Sequence, residues 1–345
     1  GSFEVYGGRI KGFGPHPPDE FVWHSDRTNT DWGVFPEKDE DMIDYKSAMW
    51  AKERLAEDHA RPFFLTVGFI RPHVPWYAPQ KWFDMHPVEQ LTMPPYLKND
   101  LDDVPQISRD LHEVPQMPTT EWAIETGEWP NIVQAVLACT SFVDHYVGEV
   151  LTALENSPYA DNTIVVLWGD HGYHIGEKNR FAKHSLWEET SRVPLMIKAP
   201  GGVAGQVTKK TASLLDLYPT LLDLAGLPAY ERNEGTSLRP LLEGATDTLD
   251  EVAITSYGFG NHAIRDERYR YIHFVDGSEE FYDHEVDPNE WHNLANDPAY
   301  AEAKQRLARH LPKVNAPLSP VQSGNRVVNE YFARMYEKAG LKFRR

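Results

Sequence analysis

Val165-Val166-Leu167-Trp168-Gly169-Asp170-His171-Gly172 is the stretch from which the rest of the chain is read. It runs on through Lys183-His184 to Arg192-Val193-Pro194-Leu195-Met196-Ile197. The first four residues are a short apolar run of the kind that forms a buried parallel strand. Asp170, His171 and Gly172 follow at once. Side chains at the carboxyl end of such a strand face the crevice where open α/β sheets bind ligands. A carboxylate oxygen beside an imidazole nitrogen can hold a metal ion. A polar loop then leads to Lys183 and His184, and a second apolar run closes the stretch. This layout suits a site that handles an anion next to a divalent ion.

The bulk properties are compatible with that reading. The chain has 345 residues, enough for one large domain or one domain plus a small one. It is 41% hydrophobic and 25% charged, a globular balance. A net charge of -18 excludes an ordinary nucleic-acid binder, which would carry a basic face. An anionic substrate stays open, because a local group of Lys, Arg, His and metal inverts the field. The single cysteine rules out an internal disulfide and leaves the redox compartment open. No apolar run approaches eighteen residues, so no membrane span is expected. No signal peptide is visible, and Phe3-Glu4-Val5-Tyr6-Gly7-Gly8 already reads as domain interior.

Outward from the centre, Phe63–Phe69 reads as a central strand, and Arg71-Pro72-His73-Val74-Pro75 follows it directly. The two prolines stiffen the loop around His73. Acidic residues 39–41 start a helix read over 39–59, and an apolar period marks a strong helix over 131–155. Cys139 lies on its apolar face as a packing residue. Residues 77–130 are Pro-rich and loop-like, with Trp82, Tyr96, Trp122 and Trp129 as core residues or a sugar-facing surface. The stretch from Leu214 reads as a helix that stops at Gly226, with Pro228 beyond. From about 251 short β-like runs appear at 252–257, 261–265, 268–274 and 280–283, with Asp276-Gly277 as a hairpin turn. Helices are expected over 299–312 and 327–338.

Several of these residues carry a family resemblance. Gly-Asp-His-Gly, Gly176-Glu177, Lys183 thirteen residues after Asp170, and Arg192-Val193-Pro194-Leu195 resemble the second half of a type I sulfatase, a member of the alkaline phosphatase superfamily. The Asp216-Leu217-Tyr218-Pro219-Thr220-Leu221 core, Phe281-Tyr282-Asp283 and Asn293-Leu294 extend the likeness, which is greatest to the iduronate-2-sulfatase and choline-sulfatase branches. The resemblance implies an α/β fold, a mostly parallel sheet between helices, over residues 1–250. A small antiparallel subdomain would occupy 251–345.

It also implies roles. Asp170 and His171 bind the metal, and Lys183 and His73 hold sulfate oxygens, one of them protonating the leaving oxygen. Arg9 and Lys11 stand near where the family places a basic sulfate contact. His184 and His174 are in reach by sequence. His262 and Arg265 are candidates for specificity, with Arg265 pairing either with a uronate or second sulfate of the substrate or with a carboxylate of the protein. From ligand chemistry, oxygen donors favour calcium or magnesium and the imidazole suits zinc or manganese. The family implies Ca2+, and Zn2+ or Mn2+ would accompany a phosphodiesterase or phosphonate monoester hydrolase. The implied compartment is periplasmic or secreted.

One element of the pattern is missing. A sulfate ester repels nucleophiles, so catalysis needs cations on its oxygens, an activated nucleophile and an acid. Sulfatases take the nucleophile, formylglycine, from a Cys/Ser-x-Pro/Ala-x-Arg motif, and none is present in these 345 residues. The family's amino-terminal Asp-Asp metal pair is absent too. Three readings follow: an enzyme whose amino-terminal segment is a separate or unrepresented piece, an inactive product, or a non-catalytic binder of sulfated glycans.

Overall fold

The computed structural model describes residues 5, 7–8, 12–18, 23, 30–245, 252–315 and 337. Arg9, Lys11 and nearly all of the helix expected over 327–338 lie outside the described residues. The chain divides into two compact units that interleave along the sequence. One comprises Gly1–Pro95, Pro115–Thr163 and Ile175–Phe181. The other comprises Tyr96–Val114, Ile164–His174 and Ala182–Arg345.

The first unit is built on the helix Trp129–Glu155. Pro130 suits its first turn, where no intrahelical N–H is needed. Ile132, Val133, Val136, Cys139, Phe142 and Tyr146 are buried along one face. Each large apolar side chain buried this way contributes roughly 1.5–3 kcal/mol. The helix packs on Ile43–Leu55, on the short helix Gln80–Phe83 and on a two-stranded parallel pair, β1 (Trp32–Val34) and β2 (Trp76–Ala78). Buried Asp39 ties these elements together by accepting from Trp82 Nε1 and Tyr146 Oη.

The strand expected over Phe63–Phe69 is not formed among the described residues. The segment forms no regular element, its half-buried and exposed residues alternate, and Phe64 is 71% exposed. An apolar run becomes a strand only where another backbone pairs with it.

In the second unit, β3 (Val165–Trp168) pairs with β4 (Leu195–Lys198) in antiparallel register, Val166 opposite Ile197. The reading of β3 as a buried parallel strand is corrected by this pairing. Its residues are half-buried, and Trp168 at its end is exposed. Four further strands form an antiparallel sheet in sequence order: β5 (Ala253–Ser256), β6 (His262–Arg265), β7 (Tyr269–His273) and β8 (Glu279–Asp283). One face buries Ala263, Ile272 and Tyr282 with Leu111, Leu186, Trp187 and Phe274. The other buries Ile264, Tyr271 and Phe281 with Leu307 of the helix Ala301–Ala308. This is the period-two alternation that the sequence carries.

Candidate active site

The second unit collects Asp170, His171, Lys183 and His184. β3 ends at Trp168, and Gly169 N still donates to Pro194 O, so Asp170 and His171 leave directly from a paired strand end. Gly172 then passes against the short helix Glu188–Ser191. Its N–H donates to Thr190 O at 2.9 Å, and a Cβ there would lie 2.0 Å from Glu189 O. Only glycine fits that approach. His174 N donates to Ala182 O, which returns the chain beside the strand end and delivers Lys183.

The resulting geometry is specific. His171 Nδ1 donates to Gly172 O at 2.9 Å, which leaves Nε2 as the lone-pair nitrogen. That Nε2 lies 3.6 Å from Asp170 Oδ2 and 3.1 Å from Lys183 Nζ. The Asp170 side chain is 85% exposed. A carboxylate and an imidazole nitrogen at this separation can both reach one ion at the usual bond lengths of about 2.0–2.6 Å. Burial lowers the pKa of Lys183, and the Asp170 charge opposes that shift. These donors fit a divalent ion, which the family implies.

His174 is fully buried, and its Nε2 pairs with Ser185 Oγ at 3.1 Å. It therefore holds the returning loop. His262 is bonded on both nitrogens, Nδ1 to Ser256 Oγ at 2.7 Å and Nε2 to Asn315 Oδ1 at 2.6 Å. Arg265 donates through Nε to Glu188 at 3.1 Å. It joins a buried network that sequence reading did not find: Glu188, Glu290, Arg270 and His284. Burial pushes the Glu188 carboxyl up, but Arg270 and Arg265 outweigh it and hold it at about 2. Ligand atoms of Glu188, His284 and Glu290 lie within 4.8 Å of one another, a spacing that suits a metal. Two guanidinium groups already neutralise both carboxylates, so this triad reads as an ion-pair cluster. Glu290 itself has φ +57°, a conformation sequence patterns do not announce.

His73 belongs to the first unit. Its ring stacks on Phe13 at 4.1 Å with planes 5° apart, and Nδ1 donates to Val74 O at 2.6 Å. The loop is held from below by buried Asp44, which accepts from Ile70 N at 2.6 Å and Arg71 N at 3.0 Å. Burial raises the Asp44 pKa against those two bonds. Arg71 bonds the carbonyls of Phe13, His73 and Tyr77. Asp44 is a support that no motif in the sequence signalled, and Arg71, though it opens the quoted loop, was given no role there. Cys139 is wholly buried, and burial pushes its thiol up to about 12.

A family model described as Sulfatase matches residues 13–227. The chain belongs to the sulfatase family. A second model, N-sulphoglucosamine sulphohydrolase, C-terminal, matches residues 176–317. A sulfatase of Formosa agariphila is 50% identical over 92% of this chain and 64% of its own length. The choline-sulfatase of Rhizobium meliloti is 31% identical, covering 70% of this chain and 48% of that protein. Mouse iduronate 2-sulfatase is 31% identical over 50% of this chain and 37% of its own length. The chain thus spans less than two thirds of the length of these relatives.

A protein solved with its substrate, D-glucosamine-2-N,6-O-disulfate, superposes with TM-score 0.60 at 21% identity, covering 85% of this chain and 70% of that one. The phosphonate monoester hydrolase of Agrobacterium radiobacter gives 0.66 at 24% identity, covering 76% and 59%. These neighbours share the alkaline-phosphatase-like α/β fold. No helix among the described residues is long and apolar enough to cross a membrane.

Proposed function

We propose that this chain carries the metal- and sulfate-holding part of an enzyme that hydrolyses a sulfate ester on a carbohydrate. The observation that supports this most is the triangle of Asp170 Oδ2, His171 Nε2 and Lys183 Nζ, with separations of 3.6 and 3.1 Å from the imidazole. Asp170 and His171 would hold the ion, which we take to be calcium. A bound divalent ion polarises sulfate oxygens as a Lewis acid. Lys183 adds a fixed cation for the charge that develops on those oxygens. His73, oriented by its ring stack and its bond to Val74, is the second sulfate contact, and either it or Lys183 protonates the leaving oxygen. His184 extends the anion-binding side; the roles expected for Arg9 and Lys11 fall outside the described residues.

Cys139 is not the nucleophile, because its thiol is sealed and held neutral. We place the nucleophile outside these 345 residues, in the remaining length that the relatives possess. The family's usual setting makes a periplasmic or secreted location our reading.

The test uses the full natural polypeptide. Inorganic sulfate released from sulfated mono- and disaccharides is measured by ion chromatography, beside phosphodiester and phosphonate monoester substrates. Sulfate release that needs calcium and is lost in Lys183→Ala supports the proposal. Faster turnover of the phosphorus esters with zinc or manganese would replace it with the hydrolase reading. Binding of sulfated glycans without turnover would replace it with a binding module.

A further inference from the structure

The turn joining β5 to β6, Tyr257-Gly258-Phe259-Gly260-Asn261, is built with unusual rigidity. Asn261 is fully buried and ties the turn to the β7–β8 connection: its Nδ2 donates to Tyr257 O and its Oδ1 accepts from Val275 N, both at 3.0 Å. Tyr257 N also donates to Asn261 O at 3.1 Å. Gly258 and Gly260 sit at φ +73° and +74°. A Cβ on Gly260 would come within 2.9 Å of Val275 Cγ2.

The half-buried rings of Tyr257 and Phe259 rest on the core around Trp187 and Phe274. Tyr257 stacks on His184, with centroids 5.9 Å apart and planes inclined by 25°. His184 itself has φ +64°, an uncommon conformation for a residue with a Cβ. Such a conformation persists where the surroundings over-determine it, and it is concentrated at ligand sites. His184 directly follows Lys183, whose Nζ is 3.1 Å from His171 Nε2. The turn therefore presents an aromatic ring one residue away from the sulfate-holding cation.

We propose that Tyr257, presented by this turn and braced by His184, is a specificity-determining residue that takes the pyranose ring of a sulfated sugar. The inference rests on the sulfatase reading above. A pyranose has an apolar C–H face that packs on an aromatic ring, and hydroxyls that pair with a phenol or imidazole at its edge.

The test uses the full natural polypeptide and its calcium-loaded form. Calorimetry first ranks a panel of monosulfated hexoses, hexosamines and uronic acids, and the best-bound sugar is carried forward beside inorganic sulfate. Tyr257→Ala is compared with Tyr257→Phe. We expect Tyr257→Ala to weaken the sugar at least about tenfold, and Tyr257→Phe to stay within about threefold, with inorganic sulfate unchanged in both.

Equal loss of sugar and inorganic sulfate, or no loss of either, overturns the inference. A native protein that binds no sugar yet releases sulfate from 4-nitrophenyl sulfate overturns it and leaves the sulfatase reading standing. Selective sugar loss in the variants of a protein that releases no sulfate keeps the inference and removes the sulfatase reading. A protein that neither binds sugar nor releases sulfate removes both.

Discussion

Two clusters in the second unit use the same ingredients: carboxylate, imidazole and cation within a few ångströms. At the end of β3, Asp170, His171 and Lys183 meet at a largely exposed strand terminus. Beneath the sheet, Glu188 and Glu290 meet His284 but are matched by Arg265 and Arg270. In the buried cluster the carboxylates have their cations already, with Arg192 also reaching Glu188 at 3.7 Å. The strand-end cluster has its carboxylate in water and a lone-pair nitrogen turned to the same point. Residue type alone does not separate a ligand site from a structural one. Exposure is what differs: the buried carboxylates are enclosed with their guanidinium partners, whereas Asp170 faces solvent beside a lysine, as a site open to a guest would.

The comparison breaks most readily at Arg270, which is buried. Arg270→Met strands Glu188 and Glu290 as buried charges, and we expect a loss of about 3–5 kcal/mol in chemical denaturation. Little destabilisation would mean the network is not the ion-pair cluster described. At the other cluster, Lys183→Ala should lower sulfate-ester turnover by about 10²–10³-fold while leaving the denaturation midpoint almost unmoved. A large midpoint shift would return Lys183 to the structural class.

Acid sharpens the contrast. Glu188 is held at about 2 against an ordinary 4.5. Its folded pKa is depressed, so its contribution is present above about 4.5 and is lost as pH falls towards 2. The loss is on the order of 3 kcal/mol. Unfolding monitored from pH 6 to pH 2 should show that slope in the native protein and a shallower one in Glu188→Gln. The smallest effect concerns metal. Asp170→Asn should weaken calcium binding by about tenfold or more in calorimetry, whereas Glu290→Gln, if it folds, should leave it unchanged. The reverse result would move the ion to the Glu188–His284–Glu290 triad.

What was legible in the sequence depended on how local the signal is. The helix at 129–155 announces itself by an apolar stripe, and it begins only two residues before the expected start. The four strands of 253–283 follow their predicted runs closely, because Asp276-Gly277 and the alternation fix them locally. Pairing partners are not local. β3 carries the composition of a buried parallel strand and yet pairs antiparallel with β4, and Phe63–Phe69 has strand composition without a partner among the described residues.

The site divides in the same way. The proximity of Asp170, His171 and Lys183 was readable because motif spacing brings them together; their roles stand as our proposal. Asp44 and Arg71, which hold the His73 loop, and Arg270, which engages the partner of Arg265, depend on contacts between distant segments. His262 and Arg265 drew attention as polar residues in a strand. The aromatic neighbour of the lysine loop proved to be Tyr257, in the turn just before that strand.

Cys139 has one more consequence. Its sulfur is sealed inside the helix 129–155, close to the backbone oxygen of Tyr77 on β2, and its proton is held to about pH 12. A thiol reagent at neutral pH therefore meets no reactive sulfur until the helix parts from β2. With no second cysteine among these 345 residues to compete, the rate of labelling of Cys139 becomes a clock for the opening of that half of the molecule, readable under native conditions without any engineered probe.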